Sequence, residues 1–587
     1  MDTDPRSPVV LAPHFEFLPI DSSQGQVRIL NIAPGKPGDI IKCSYEVVNV
    51  DDDDAAYETL SYVWGVMDGN RTAIIDGTKA DLTDNLFAAL TRIRHESETR
   101  RLWIDALCIN QQDAAEKMAQ VNMMRKIYFR CQQCNIWMGD IDYAAIGAAE
   151  PEALQAAKGA LDAVRILAGE DFETPSPHLA TTDQQAQAGK ALKALMYTAW
   201  WGRIWTVQEA TAPRNAIVHW GPLSIPWDVM KQAAVELIQG NYLFDLDHLF
   251  EYGAYGFFTA PILGLIWASE WVVDPEPPMD MLYRFRYRDS TDPRDKVYVI
   301  LNLVAEGTYP LPSVTSSDYA INTAVLYRNV MLDLLRDEWG LRPMIGFRGE
   351  RKSVPGLPSW VVDWSLPPPR LGIAKFWEHS NFWMSFTADR GLPMLDLDEL
   401  TSPALGEDVL NLNGVYFDRV LARSDLIAEG EGDDRLDEIV DSLIKTALAE
   451  ESRDRSKFEV YWQESLAGIV TGEHANPAQI FEGQAADEYW QSQMLQNQRL
   501  FIAENGAVGL GPSGTSVGDE IWVLAGCRTP FLLGPLHVSD GDGEDDKNQN
   551  QNGSGHYTFR GDAFVPKIMR GEAVRGKVDR QRFVHIH

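Results

Sequence analysis

A carboxylate four residues beyond an indole is a pairing that can do chemistry. Here the pair is Trp205 and Glu209, in the run Arg203-Ile204-Trp205-Thr206-Val207-Gln208-Glu209. On a helix, positions i and i+4 share a face. A carboxylate held against an indole loses part of its water, which raises its pKa. Such a group can serve as a base or nucleophile, or stabilise a developing cation. Arg203 beside it could offset the shift or bind a phosphate. The plainer alternative is a surface glutamate paired with Arg203 or a lysine.

Two earlier segments also join apolar stretches to polar side chains. They are Tyr57-Glu58-Thr59-Leu60-Ser61-Tyr62-Val63-Trp64-Gly65 and Leu102-Trp103-Ile104-Asp105-Ala106-Leu107-Cys108-Ile109-Asn110-Gln111. Both read as buried strands whose ends expose chemistry. Ligands of open parallel sheets sit at the carboxyl ends of the strands. The second segment delivers Asp105, Cys108, Asn110 and Gln111 to that edge. The first delivers Tyr62, Trp64 and Gly65 to the same edge if the two strands are parallel. A carboxylate, amides and aromatic faces together suit a nucleotide or nucleoside. The alternative makes Trp64 core and Asp105 the cap of the following turn. Trp103 is expected in the core.

Other chemistry finds less support. Cys131 and Cys134 form a single C-x-x-C with no second pair nearby, so structural cysteines at a helix–strand junction are expected and no metal site. A hydrolase built on Cys108 needs a histidine, and spacing selects none of His95, His178 and His219. No P-loop or Gly-x-Gly-x-x-Gly follows an expected strand.

The elements that must position these groups follow from periodicity. Residues 15–50 alternate apolar and polar around a Pro/Gly turn at 34–38, as short strands do. From Tyr57 the pattern becomes strand–helix–strand–helix. Thr83 caps a helix with Leu86, Ala89, Leu90 and Ile93 on one face. Asp113 with Glu116 resembles a capping box, opening a helix with Met118, Val121, Met124 and Tyr128 on one side. Residues 135–139 and 215–220 read as strands. Alternation of this kind predicts a parallel sheet wrapped by helices. Residues 1–56 then supply N-terminal strands packing on a domain at 57–227, with a helical insertion at about 141–200. Residues 228–345 read as helical. Residues 346–587 read as β-rich, with a polar low-complexity loop at 540–555 expected to be disordered.

A chain of 587 residues needs more than one core. Its 85 acidic against 52 basic residues give a formal charge of -33. Such a surface repels phosphate backbones and anionic lipid, so nucleic acid is not an expected partner. Five scattered cysteines point to a reducing compartment, hence a cytoplasmic location. No basic region precedes an apolar run at the start, so no signal peptide is expected. The uncharged stretch 252–269 contains Pro261 and reads as a buried helix pair rather than a membrane span.

At the three quoted segments the sequence resembles the HET (heterokaryon incompatibility) domain family of filamentous fungi. The resemblance extends to Thr291-Asp292-Pro293-Arg294-Asp295-Lys296-Val297-Tyr298, to Leu357–Trp364, and to the blocks at 505–512 and 518–519. HET domains are in turn similar, at low identity, to TIR domains, which have a flavodoxin-like sheet and in several cases cleave NAD. That comparison implies that Tyr57–Gly65 and Leu102–Gln111 are the first two strands with their loops. It also implies that Trp205 to Glu209 is the turn carrying the TIR catalytic glutamate. Glu209 would then be catalytic, with Tyr62, Trp64, Gly65, Asp105, Cys108, Asn110, Gln111, Arg203 and Trp205 binding substrate. The segment between Gly139 and Arg203 is longer than a TIR domain allows. The implied function is a self/non-self recognition effector that triggers fungal cell death as an NAD glycohydrolase. NAD, or a related nucleotide, would be the substrate, and no cofactor is required. The alternative is a signalling module without catalysis, acting by self-association. Both leave room for a homo-oligomer and for an unidentified protein partner in recognition.

Overall fold

The computed structural model describes residues 9–11, 15–53, 55–67, 71–170, 176–240, 248–250, 255–270, 277–301, 303, 311–336, 340–346, 352–366, 386–395, 399–401, 406–427, 433–447, 497–536, 555–577 and 580–587. The chain divides into two compact units. One comprises residues 1–310 and 315–320, the other 311–314 and 321–587.

The first unit is built on a sheet of ten strands. In chain order these are β1 (Val9–Leu11), β2 (Gln26–Ile32), β3 (Ile41–Asn49), β4 (Glu58–Ser61), β5 (Arg71–Ile75), β6 (Thr78–Leu82), β7 (Arg100–Trp103), β8 (Cys134–Trp137), β9 (Ala216–Trp220) and β10 (Leu223–Pro226). Their spatial order is β1-β6-β5-β3-β2-β7-β4-β8-β9-β10. The sheet is mixed, which corrects the expectation of a purely parallel one. Only the run β7-β4-β8-β9 is continuously parallel. β2 joins it antiparallel to β7, and β10 folds back on β9 as a hairpin. The N-terminal strands therefore continue the same sheet. The hairpin of β5 and β6 turns at Asp76-Gly77, where both residues have positive φ (47° and 79°). An Asp-Gly pair supplies that backbone at little cost.

Register places the chemistry. Thr59 of β4 lies opposite Trp103 of β7 and Cys134 of β8. The ends of β4 and β7 thus emerge at one edge, as the nucleotide-cleft reading requires. β4 is buried from Thr59 onward because neighbours cover it on both sides.

The helices of this unit are α1 (Asp84–Ile93), α2 (Asp105–Cys108), α3 (Ala114–Arg130), α4 (Tyr143–Ile146), α5 (Glu150–Leu167), α6 (Thr182–Met196), α7 (Thr206–Thr211), α8 (Trp227–Gln239), α9 (Gly256–Glu270), α10 (Pro278–Phe285) and α11 (Asp295–Leu301). The Thr83 hydroxyl accepts from the Leu86 amide, and Leu86, Ala89, Leu90 and Ile93 are buried. Asp113 caps α3, but no reciprocal box forms. Glu116 instead takes both forks of the buried Arg28 at 2.5 and 2.9 Å. Val121, Met124 and Tyr128 face the core, while Met118 is exposed. The stretch around Pro261 forms the single helix α9, not a helix pair. Among the described residues no helix is long and apolar enough to cross a membrane.

The second unit carries α12 (Thr323–Arg336) and α13 (Asp433–Ala447) with seven strands. These are β11 (Leu410–Arg423), β12 (Gln498–Ala503), β13 (Val508–Pro512), β14 (Glu520–Leu524), β15 (Phe531–Pro535), β16 (Gly555–Asp562) and β17 (Arg582–Ile586). β11 is long enough to pair with β17, β14 and β12 in succession. The ring β11-β14-β15-β16-β17 thereby closes on itself. Its core includes Val415, Phe501, Ile521, Val523, Leu532 and Val565. The expected loop 540–555 lies outside the described residues, except Gly555 at the start of β16.

Candidate functional site

Glu209 is buried, with 4% of its surface exposed, so it is not the surface glutamate that spacing alone allowed. It sits on α7, a short helix whose first turn begins at Trp205. α7 packs against β4, β8, α3 and α9. That packing directs the carboxylate to the end of β4, where the Ser61 hydroxyl donates to Oε2 of Glu209. The same Ser61 oxygen accepts the indole N–H of Trp200 at 2.7 Å. Ser61 and Trp200 are both fully buried. The result is a closed chain of indole, hydroxyl and carboxyl.

Burial pushes the Glu209 pKa from 4.5 up to about 7. The Arg203 guanidinium opposes the rise, Asp105 adds to it, and the Ser61 hydrogen bond and Arg288 oppose it again. Desolvation dominates because an ionised carboxylate loses most of its hydration in such a site. A carboxyl group balanced near neutrality can exchange charge during a reaction.

Asp105 forms the second carboxylate of the edge. It opens α2 directly after β7, and its Oδ2 accepts the Trp64 indole N–H at 2.8 Å. Its Oδ1 accepts the Ala106 amide at 2.7 Å, but the N-cap of α2 is Ile104, so Asp105 does not cap the turn. Burial raises its pKa, against the pull of Arg203, the Trp64 N–H and the Ala106 N–H. Arg203 lies over the Trp64 ring, 5.5 Å from the centroid. It also donates to the Tyr62 carbonyl at 2.8 Å. Tyr62 is buried, and its hydroxyl has no hydrogen-bond partner among the described residues. Burial holds that phenol well above its usual pKa, with Asp105 and Glu209 adding to the shift.

The structure therefore brings Tyr62, Trp64, Asp105, Arg203 and Glu209 to one edge. Trp205 stands at the start of α7, where its indole donates to Asp295. Gly65 turns the chain out of β4 at φ +77°, and a side chain there would crowd Asn85. Three other expected residues serve the scaffold. Cys108 is fully buried, and its thiol meets the backbone of Ile104, Leu102 and Leu30. Burial pushes that thiol up to about 12, so it is neither accessible nor nucleophilic. Asn110 accepts the Gln112 amide, and Gln111 donates to the Asp105 carbonyl at 3.0 Å. Both shape the loop after α2. His219 pairs with Asn135 and His178 with Asp162, so neither reaches Cys108. Cys131 and Cys134 are buried at the junction of α3 and β8, as expected of structural cysteines.

Sequence reasoning missed Ser61, Trp200 and Arg288. Ser61 was visible as a hydroxyl in a strand otherwise buried at its carboxyl end. Nothing in spacing connects Arg288 to Glu209, because only the fold brings its charge to act on the carboxylate.

The family model described as heterokaryon incompatibility protein (HET) matches residues 57–209, the span from β4 to Glu209. Residues 57–209 form a HET domain. The chain is 23% identical to Heterokaryon incompatibility protein 6, OR allele, of Neurospora crassa, over 95% of this chain and 96% of that one. No solved structure matches it. The HET domain match ends on the carboxylate that closes the site, so every member of the Trp200–Ser61–Glu209 chain lies inside it.

Proposed function

We propose that this protein is a heterokaryon incompatibility effector that triggers cell death on self/non-self contact, and that its HET domain cleaves NAD. The first part draws on the HET match and on the name of the Neurospora crassa relative. The second draws on one observation above all: a buried carboxyl balanced near pH 7 at the carboxyl end of the sheet. The parallel strands lie in the order second, first, third, fourth, the arrangement of flavodoxin-like sheets and, by the resemblance, of TIR domains. In such sheets the ligand crevice opens beside the first strand, here β4.

The chemistry is a hydrolysis. The C1′–N bond of the nicotinamide riboside breaks, and its electron pair goes to the ring nitrogen. Nicotinamide leaves neutral, so no general acid is needed. Positive charge builds on the ribose, as in glycoside cleavage. Glu209 in its ionised form stabilises that charge or holds the ribose hydroxyls. Water adds to C1′ and gives up a proton. In this reading Asp105 and the Tyr62 hydroxyl position the ribose, and Trp64 with Arg203 stacks on a ring. No cofactor enters this scheme.

One observation favours the second reading, signalling by self-association without catalysis. Glu209 is 4% exposed and already bonded to Ser61. The test is to incubate the purified full chain with NAD and follow nicotinamide release, wild type against Glu209→Gln. Release that depends on Glu209 supports the enzyme. No release at any protein concentration, with both proteins equally toxic when expressed in a filamentous fungus, refutes it in favour of the signalling module.

A further inference from the structure

We propose that Arg288 is the positioning residue of the Glu209 site: from outside the HET family match, it pins the helical turn that carries the carboxylate and sets a cation beside it. The inference rests on reading Glu209 as the reactive carboxylate of the site.

The contacts are specific. Arg288 is fully buried. Its Nη1 donates to the Thr206 hydroxyl at 2.7 Å and to the Arg203 carbonyl at 3.2 Å. Thr206 opens α7, so the guanidinium holds the first turn of the helix that ends two residues past the site carboxylate. Neighbouring bonds tie the two segments together. Ile204 donates to the Asp289 carbonyl at 3.0 Å, and Asp289 donates to the Gly202 carbonyl at 2.5 Å. The Gln208 side chain donates to the Val299 carbonyl at 2.9 Å. Lys296 clamps the Arg288 segment itself through the carbonyls of Arg286 and Arg288. A helix of six residues has little stability of its own, so its pose depends on such contacts.

Packing alone does not account for an arginine here. Burying a guanidinium is costly unless its charge is used. The Nη2 atom of Arg288 is buried without a partner among the described residues. A donor left unspent costs about 1–3 kcal/mol. The guanidinium lies over the rings of Phe285 and Tyr287, 5.6 Å from each centroid, its Nε donates to the Tyr287 hydroxyl at 3.2 Å, and its charge acts on the Glu209 carboxylate. The charged and titratable groups acting on or with Glu209 are Arg203, Asp105, Arg288, Tyr62, Tyr128 and Cys134. Only the two arginines among these stabilise its ionised form. Arg203 is shared with Asp105 and stacks on Trp64.

The experiment uses the full chain and reads Glu209 without requiring turnover. Infrared difference spectra across pH report the carbonyl stretch of a protonated buried carboxyl, and the band absent from Glu209→Gln belongs to Glu209. Arg288→Gln should raise its titration midpoint by about one pH unit, the size expected for losing a nearby cation. It should move the acid limb of nicotinamide release upward by the same amount. Arg288→Lys keeps the charge but loses the planar fork. It should leave the midpoint near wild type while hydrogen exchange over 206–211 accelerates. An unmoved midpoint in folded Arg288→Gln overturns the proposal. If that variant does not fold, unchanged exchange over 206–211 in Arg288→Lys overturns it. Wild type that releases no nicotinamide, yet shows the shifted midpoint, refutes NAD cleavage and leaves the positioning role standing.

Discussion

Replacing Ser61 by alanine tests the site most directly. The substitution removes one oxygen from a fully buried position and leaves the strand geometry intact. Two partners lose their bond: the Trp200 indole N–H and the Glu209 carboxyl. Stranding a buried N–H costs about 1–3 kcal/mol. A hydrogen bond to a charged group contributes about 1.5–3 kcal/mol, and to a neutral one about 1 kcal/mol. At pH 5 Glu209 is protonated in the folded state, since its pKa is about 7. At pH 8 it is ionised. The destabilisation should therefore be about 3 kcal/mol at pH 5 and about 4 kcal/mol at pH 8. The sign is fixed by linkage: losing a donor raises the folded pKa further, so the mutant loses more as pH rises. Hydrogen exchange of the β4 and β8 amides, read by mass spectrometry at both pH values, isolates this unit from the second. A loss below about 1 kcal/mol, or one that shrinks as pH rises, would refute the hydrogen-bonded chain.

Glu209 should itself make folding pH-dependent. Its folded pKa lies above the 4.5 of a free glutamate, so stability is highest below 4.5 and falls as pH rises through about 7. That shift corresponds to about 3 kcal/mol. Glu209→Gln should flatten the pH profile of urea unfolding and be the more stable protein at pH 8. Breaking the buried Arg28–Glu116 pair with Arg28→Met should cost about 3–5 kcal/mol, because it leaves a carboxylate behind. A melting temperature equal to wild type would contradict that. The five buried cysteines should resist a thiol reagent until the chain unfolds, whereas rapid native labelling would show that the Cys108 region opens.

Much of the first unit was legible in local pattern. Thr83 and Asp113 announced their helices because a side-chain cap needs only neighbouring residues. β4, β7, β8 and β9 announced themselves as short apolar runs. The hairpin of β5 and β6 went unread, although Asp76-Gly77 is a strong local signal. Glu116 looked like half of a capping box because spacing permits it. The fold gave it Arg28, a partner 88 residues away. Cys108 looked like an edge residue because it follows Asp105 by three. The turn of α2 instead buries its thiol against the backbone of β7 and the residue that follows it.

By itself the sequence determined the family and the parts: three motifs, their order, the strand ends that carry Asp105 and Trp64, and a carboxylate four residues after Trp205. These depend on residues close in the chain, where periodicity and capping act. Only tertiary structure decided what Glu209 is. Its charge state comes from burial, from Ser61 148 residues away, and from Arg288 on another segment beside the neighbouring Arg203. Desolvation and long-range hydrogen bonds leave no trace in spacing. The same glutamate could be an exposed acid or a near-neutral buried carboxyl, and the packing of α7 onto β4 makes it the second.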